Sequence, residues 1–195
     1  MKAILDEARV LSDEITAWRR SLHEIPELGL ETPKTAAFIV QELKKMGAED
    51  IREKVGGWGV TALVRGALPG KTLAVRADCD ALPIKEETGL PFASKNGLMH
   101  ACGHDAHTAM ALGAAKLLLA RKSELAGTVK FIFQPAEENV LGAKAMIDDG
   151  ALENPAVDAL IGLHTGCLWK DIGFGEIGVR YGSLMAAVDR FIITF

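Results

Sequence analysis

Residues 128–138 read Thr-Val-Lys-Phe-Ile-Phe-Gln-Pro-Ala-Glu-Glu. The centre of this stretch, residues 131–133, is apolar and lacks the polar alternation of a half-buried strand. We therefore predict a strand over 128–134 that is buried on both faces, as strands of a parallel sheet are. A proline ends the strand, and two adjacent carboxylates, Glu137 and Glu138, follow it.

Segments with helical spacing alternate with β-prone runs along most of the chain. The helical segments are residues 4–22, 33–46, 106–121 and 141–148. Further β-prone runs are residues 51–55, 60–65, 72–77, 156–163, 176–179 and 186–195. The run at 156–163 is apolar enough that we expect a second buried strand there. The alternation predicts an α/β fold in which helices cover a sheet.

A second stretch, residues 99–107, concentrates groups that bind metals or protons. It reads Met-His-Ala-Cys-Gly-His-Asp-Ala-His and holds three of the five histidines and one of the three cysteines. The glycine between Cys102 and His104 lets the backbone turn tightly, so the thiolate and the imidazole can point at one ion. Asp105 is placed to cap the helix that follows. We interpret this stretch as half of a metal site.

Polar side chains also follow three of the predicted strands. Asp78 and Asp80 follow one, the Glu137–Glu138 pair follows another, and His164 follows a third. In open α/β sheets, functional groups gather beyond the carboxyl ends of the strands. We therefore expect one pocket to unite a thiolate, two imidazoles and a carboxylate, from Cys102, His104, Glu138 and His164.

This donor set favours particular metals and leaves one carboxylate over. Thiolate and imidazole suit zinc, nickel or cobalt, and the carboxylate keeps manganese open. Glu137 is then a candidate base for the water of a bound ion. Each signal alone has a plainer interpretation, because paired glutamates are usually solvated and a histidine at a strand end is often structural. Their ordered combination favours the metal site.

Composition excludes several classes of function. The chain has 195 residues, 49% of them hydrophobic and 25% charged, with a formal net charge of −4. It contains no basic stripe, so we expect neither nucleic acid nor an anionic membrane as a partner. No apolar run approaches the ~20 residues that span a bilayer. Three cysteines with no disulfide spacing favour a reducing, cytoplasmic location.

The motifs resemble those of the metal-dependent amidohydrolases of the M20 peptidase family, in the branch that hydrolyses N-acyl amino acids. The matching stretches are residues 18–28, 76–83, 99–105, 133–138, 142–144 and 163–164. The resemblance covers essentially the whole chain. It implies a mixed sheet flanked by helices, the N-terminal part of an M20-type catalytic domain.

The resemblance also implies roles for individual residues. The ligands of two divalent ions (zinc, manganese, nickel or cobalt) would be Cys102, His104, Glu138 and His164, with Cys102 bridging. Glu137 matches the general base, and Asp80 matches the catalytic aspartate that supports the site from behind. The implied reaction is hydrolysis of the amide bond of small N-acyl amino acids by hydroxide that the metal ions supply.

Family members of this kind are longer than 195 residues. Residues 1–184 are expected to form the N-terminal part of the catalytic domain, and residues 185–195 the start of a lid domain that makes full-length relatives homodimers. A last histidine ligand is expected beyond this chain. Two alternatives therefore stay open: a truncated, catalytically impaired metal-binding remnant, or an M20-type dipeptidase. An uncovered sheet edge is expected to promote self-association.

Overall fold

A computed structural model describes residues 2–166, 172–173 and 175–183. The chain divides into two compact units, residues 1–165 and residues 166–195. All the elements below belong to the first unit. Within the described ranges, no helix combines the length and the apolar character that crossing a membrane requires.

The described residues of the first unit form five helices and five strands. The helices are α1 Lys2–Val10, α2 Ser12–His23, α3 Pro33–Met46, α4 His104–Ala120 and α5 Gly142–Asp148. The strands are β1 Glu49–Val55, β2 Gly59–Arg65, β3 Leu68–Asp78, β4 Ala126–Gln134 and β5 Ala159–Gly162. The strands form one sheet in the order β1-β2-β4-β3-β5.

The sheet is mixed, which confirms the predicted fold class. Strands β1, β2 and β4 pair antiparallel, whereas β3 is parallel to both β4 and β5. The three parallel strands therefore end at the same edge, and the residues that follow them meet there.

Strand β4 lies at the centre of the sheet and is buried on both faces, as its apolar sequence predicts. Phe131 and Phe133 are fully buried in the larger core cluster, which includes residues of α3 and α4. Ile132 points to the opposite face, where it packs with Met146 of α5 and Ala151. Burying side chains of this size stabilises the fold by about 1.5–3 kcal/mol each.

Helix α3 follows its sequence signals closely. Pro33 occupies the first turn after Thr32, and Gly47 ends the helix in the left-handed conformation with φ +78°. The Gly47 N–H donates to the carbonyl of Lys44.

Two helix predictions need correction. The segment predicted as one helix over 4–22 forms two, because the Leu11 N–H bonds to the Ala8 carbonyl three residues back and tightens the turn. Asp105 does not cap α4: the capping position is Gly103, with φ +85°, and Asp105 lies in the first turn.

Two strand predictions also need correction. The run at 156–163 forms β5, but its four residues are exposed instead of buried. The strand lies at the edge of the described sheet, next to β3 alone. Its apolar composition favours burial but does not indicate whether another element covers it. Residues 176–179 form no strand, and residues 186–195 lie outside the described part of the chain.

Candidate metal centre

The carboxyl ends of the three parallel strands and the start of α4 meet at one place. Asp78 ends β3, the Glu137–Glu138 pair follows β4, and His164 lies two residues beyond β5. Helix α4 begins with His104, and Cys102 lies in the turn before it. The fold therefore brings together every residue that the sequence assigned to the metal site.

His104 belongs to all three groups of potential metal ligands among the described residues, and two of these groups contain the predicted ligands. One group is Cys102, His104 and His164; the other is His104, Glu137 and Glu138; in each, the donor atoms lie within 4.8 Å of one another. His164 Nε2 is 3.3 Å from Cys102 Sγ, and His104 Nε2 is 3.7 Å from Glu138 Oε1. Two adjacent sets with one common residue are suited to a pair of ions.

His104 shows that these residues fit a metal. Its side chain is completely buried, and neither ring nitrogen makes a hydrogen bond. Carboxylate oxygens of Asp78, Asp80, Glu137 and Glu138 lie 3.4–3.9 Å from these nitrogens, too far for good hydrogen bonds. A buried imidazole that makes no hydrogen bond requires an explanation. A divalent cation would accept the free lone pair, and sulfur, nitrogen and oxygen donors together suit zinc and its neighbours in the first transition row.

Asp80 holds two parts of the site in place. One of its carboxylate oxygens accepts the Glu137 N–H at 3.0 Å and the other accepts the Glu138 N–H at 3.2 Å. The first oxygen is also 3.4 Å from His104 Nδ1. The turn that carries the glutamates includes Ala136 at φ +55°, a conformation that non-glycine residues avoid. Asp80 thus stabilises a strained turn and lies next to Nδ1 of the His104 imidazole.

The charges of the site shift the pKa values of its members. Burial, reinforced by Glu138, raises the pKa of Cys102 to about 12, so the thiol keeps its proton until a cation displaces it. Burial and the neighbouring Asp78 carboxylate raise the pKa of Glu137, which favours proton uptake by this group. Burial disfavours protonated His104, but Asp80 and Asp78 outweigh it and raise the pKa of His104.

A third group, Asp78, His104 and His107, resembles a metal site, but the donors of Asp78 and His107 already make hydrogen bonds. His107 Nδ1 is 2.5 Å from Asp78 Oδ1, and His107 Nε2 accepts the Thr165 N–H at 2.8 Å. Burial opposes ionisation of Asp78, but His107 and Arg76 lower its pKa to about 2. Sequence reasoning assigned no role to His107, although its position three residues after His104 places both on one helix face.

The remaining polar residues of the 99–107 stretch point elsewhere. Asp105 accepts hydrogen bonds from Arg19 Nε at 2.7 Å and pairs with His23 Nδ1 at 2.8 Å. These contacts attach the first turn of α4 to α2. His100 is buried apart from the ligand groups, and burial lowers its pKa to about 4.

Comparison with known proteins identifies the family. A model of the peptidase family M20/M25/M40 matches residues 74–187, which include all the candidate ligands. The chain belongs to this family. The resemblance inferred from the motifs is therefore confirmed.

Members of the M20/M25/M40 family with known names are similar over nearly the whole chain. The chain is 50% identical to the N-acetyl-L-cysteine deacetylase of Bacillus subtilis over 93% of its own length and 42% of that protein. It is 44% identical to the N-acyl-L-amino acid amidohydrolase of Geobacillus stearothermophilus over 99% of its own length and 50% of that protein. The chain thus spans about half the length of these relatives.

A solved structure of the same family has a similar fold. The Bacillus subtilis YXEP protein, described as a dinuclear metal binding peptidase from the M20 family, is 44% identical with a TM-score of 0.76. The match covers 81% of this chain and 44% of that one.

Proposed function

We propose that this chain carries the metal centre of an amidohydrolase that cleaves the amide bond of small N-acyl amino acids. Cys102, His104, Glu138 and His164 would hold two divalent ions, and Glu137 would act as the general base. The observation that carries the proposal is the convergence of these five side chains on one edge of the sheet, with His104 buried and its ring nitrogens free of hydrogen bonds. The names of the similar relatives support the substrate class.

The bound ions and the residues of the metal centre would make distinct contributions to the reaction. When bound, the ions would lower the pKa of a coordinated water to about 7 and so make hydroxide available at neutral pH. Glu137 takes the proton of the attacking water and later delivers it to the leaving amine. Asp80 keeps the Glu137 carboxylate aimed by holding its backbone N–H.

The direct test is metal titration followed by an amidase assay. We expect the chain to bind two equivalents of zinc or manganese in calorimetry. The loaded chain is then assayed with N-acetyl-L-cysteine and N-benzoyl amino acids, with the Bacillus subtilis deacetylase as the positive control. Glu137→Gln is expected to bind metal normally and to lower turnover by about 10²–10⁴-fold, the usual contribution of a general base.

Two variants separate the roles of the adjacent carboxylates. Glu138→Gln is expected to weaken metal binding, whereas Glu87→Gln, an exposed glutamate paired only with Lys85, is expected to change neither property. Near-normal turnover by metal-loaded Glu137→Gln would refute the assignment of the base. One weak equivalent of metal and no hydrolysis would favour the metal-binding remnant, and cleavage of dipeptides in preference to N-acyl amino acids would favour the dipeptidase.

A further inference from the structure

His107 lies beside both histidines of the candidate metal centre, His104 and His164. Its ring is 5.4 Å from that of His104 and 4.6 Å from that of His164, measured between centroids. Its side chain is buried, and both of its nitrogens have partners. The question is whether His107 binds an ion itself or serves a residue that does.

The partners of His107 determine which nitrogen carries the proton. A backbone N–H can only donate, so His107 Nε2 must be the acceptor for Thr165 at 2.8 Å. The proton therefore resides on Nδ1, where it is donated to the Asp78 carboxylate at 2.5 Å. No lone pair of the His107 ring remains for a metal ion.

The same logic fixes His164. The Thr165 carbonyl can only accept a hydrogen bond, and it lies 2.6 Å from His164 Nδ1. His164 Nδ1 therefore carries a proton and donates it to this carbonyl. His164 Nε2 then presents its lone pair toward Cys102, 3.3 Å away. Because the backbone of Thr165 contacts both rings, the position of His164 depends on His107.

Gly103 provides independent evidence that Thr165 is closely fitted. A Cβ built on Gly103 would lie 2.6 Å from Thr165 Oγ1, far too close for a real contact. Thr165 Oγ1 is also 3.0 Å from His107 Nε2. Because residue 103 is a glycine, the turn before α4 leaves room for the Thr165 side chain. The segment after β5 that carries His164 and Thr165 therefore packs against this turn.

We propose that Asp78, His107 and Thr165 form a positioning chain that fixes the place and the tautomer of His164 as a metal ligand. This inference rests on the proposed function, since it presumes that His164 binds an ion. Hydrogen-bond partners of metal-binding histidines commonly contribute 10–100-fold to metal affinity. His107 itself would contact neither the ion nor the substrate.

Two substitutions with amide side chains test this positioning chain, because each imitates one nitrogen of the His107 ring. The Oε1 of His107→Gln can accept the Thr165 N–H, as Nε2 does, whereas the Nδ2 of His107→Asn can only replace the donor to Asp78. We expect His107→Asn to weaken cobalt binding by about tenfold, the lower end of the range for a direct hydrogen-bond partner, because His107 acts through Thr165. The thiolate-to-cobalt absorption band should be reduced as well. His107→Gln should stay closer to the original protein.

A measurement on the unsubstituted chain covers the case in which the variants do not fold. Nitrogen-15 spectra should show His107 protonated at Nδ1, with Nε2 unprotonated, before and after zinc is added. A zinc-induced shift of His107 Nε2 typical of a ligand would overturn the inference, as would equal losses in the Asn and Gln variants or no loss in either. If the unsubstituted chain binds no metal, the proposed function fails and the inference with it; unchanged binding in His107→Asn overturns the inference alone.

Discussion

The two halves of the candidate metal centre are supported very differently. The inner half, His104 with the Glu137–Glu138 turn, is backed by Asp80 and lies over the buried ends of β3 and β4. The outer half, Cys102 with His164, follows an edge strand whose residues are all exposed. In the inner half, the buried Asp80 carboxylate fixes the glutamate turn and faces His104, whereas in the outer half the position of His164 depends on Thr165 and His107.

The largest effect should come from the support of the inner half. Asp80→Ala would leave the backbone N–H groups of Glu137 and Glu138 without their acceptor and remove the carboxylate facing His104. We expect a loss of about 2–4 kcal/mol in the free energy of unfolding and loss of metal binding. Urea denaturation and calorimetry measure the two effects.

Asp158→Ala is the matched control for Asp80→Ala. Asp158 also accepts a backbone N–H, that of Thr72 at 2.8 Å, but it lies away from the metal centre. Its loss should destabilise the fold without changing metal affinity. If Asp80→Ala kept full metal affinity, the inner half would not depend on its hydrogen-bonded support.

The second-largest effect should come from Asp78, which contacts His104 of the inner half and His107 behind the outer half. Its pKa is lowered from 3.8 to about 2 by His107 and Arg76 despite burial, so folding favours the ionised form. Its ionisation therefore contributes about 2 kcal/mol of stability at neutral pH. That contribution is present above the unfolded pKa near 4 and is lost as the pH falls toward 2.

The measurement is urea denaturation of the original chain and Asp78→Asn across this range. The difference in unfolding free energy should be largest at neutral pH and should shrink below about pH 4. Asp148→Asn, at an exposed carboxylate paired with Lys144, should show little difference at any pH. A difference for Asp78→Asn that stayed constant down to pH 2.5 would contradict the lowered pKa.

The third-largest effect should come from the close packing of Gly103 against Thr165 in the outer half. Gly103→Ala places a Cβ 2.6 Å from Thr165 Oγ1, whereas Gly97, with a similar φ of +82°, has open space around it. Both alanine variants should lose about 1 kcal/mol through the left-handed backbone alone. Gly103→Ala should lose additional stability and should also weaken metal binding, since Thr165 and with it His164 must move. Equal behaviour of the two variants in denaturation and calorimetry would show that Thr165 is not closely fitted.

The sequence could predict the inner half better than the outer half, for physical reasons. Apolar runs fix which strands form, and the strand ends locate Asp80, Glu137 and Glu138, because these signals are local. The role of His107 could not be predicted, since it depends on the Thr165 backbone, 58 residues away along the chain. The exposure of β5 could not be predicted either, because composition records which residues favour burial and not whether a neighbour covers them.

The smallest effect on stability, but a visible one on association, should come from the edge strand itself. Leu160 and Ile161 of β5 are 50% and 51% exposed, and Ile161 lines an apolar cavity with Met110 of α4. An apolar edge strand with free backbone groups promotes pairing between chains. Ile161→Lys should reduce self-association in analytical ultracentrifugation and change the unfolding free energy by only about 0.5 kcal/mol.

Val10→Lys is the matched control, because Val10 is 81% exposed at the end of α1, away from the sheet. It removes one exposed apolar side chain and adds the same charge, so any effect of net charge on solubility is shared by both variants. If only Ile161→Lys prevents association, the edge strand β5 is the interface between chains. If both variants act equally, charge alone governs association, and the edge that carries His164 is no more prone to pairing than the rest of the surface.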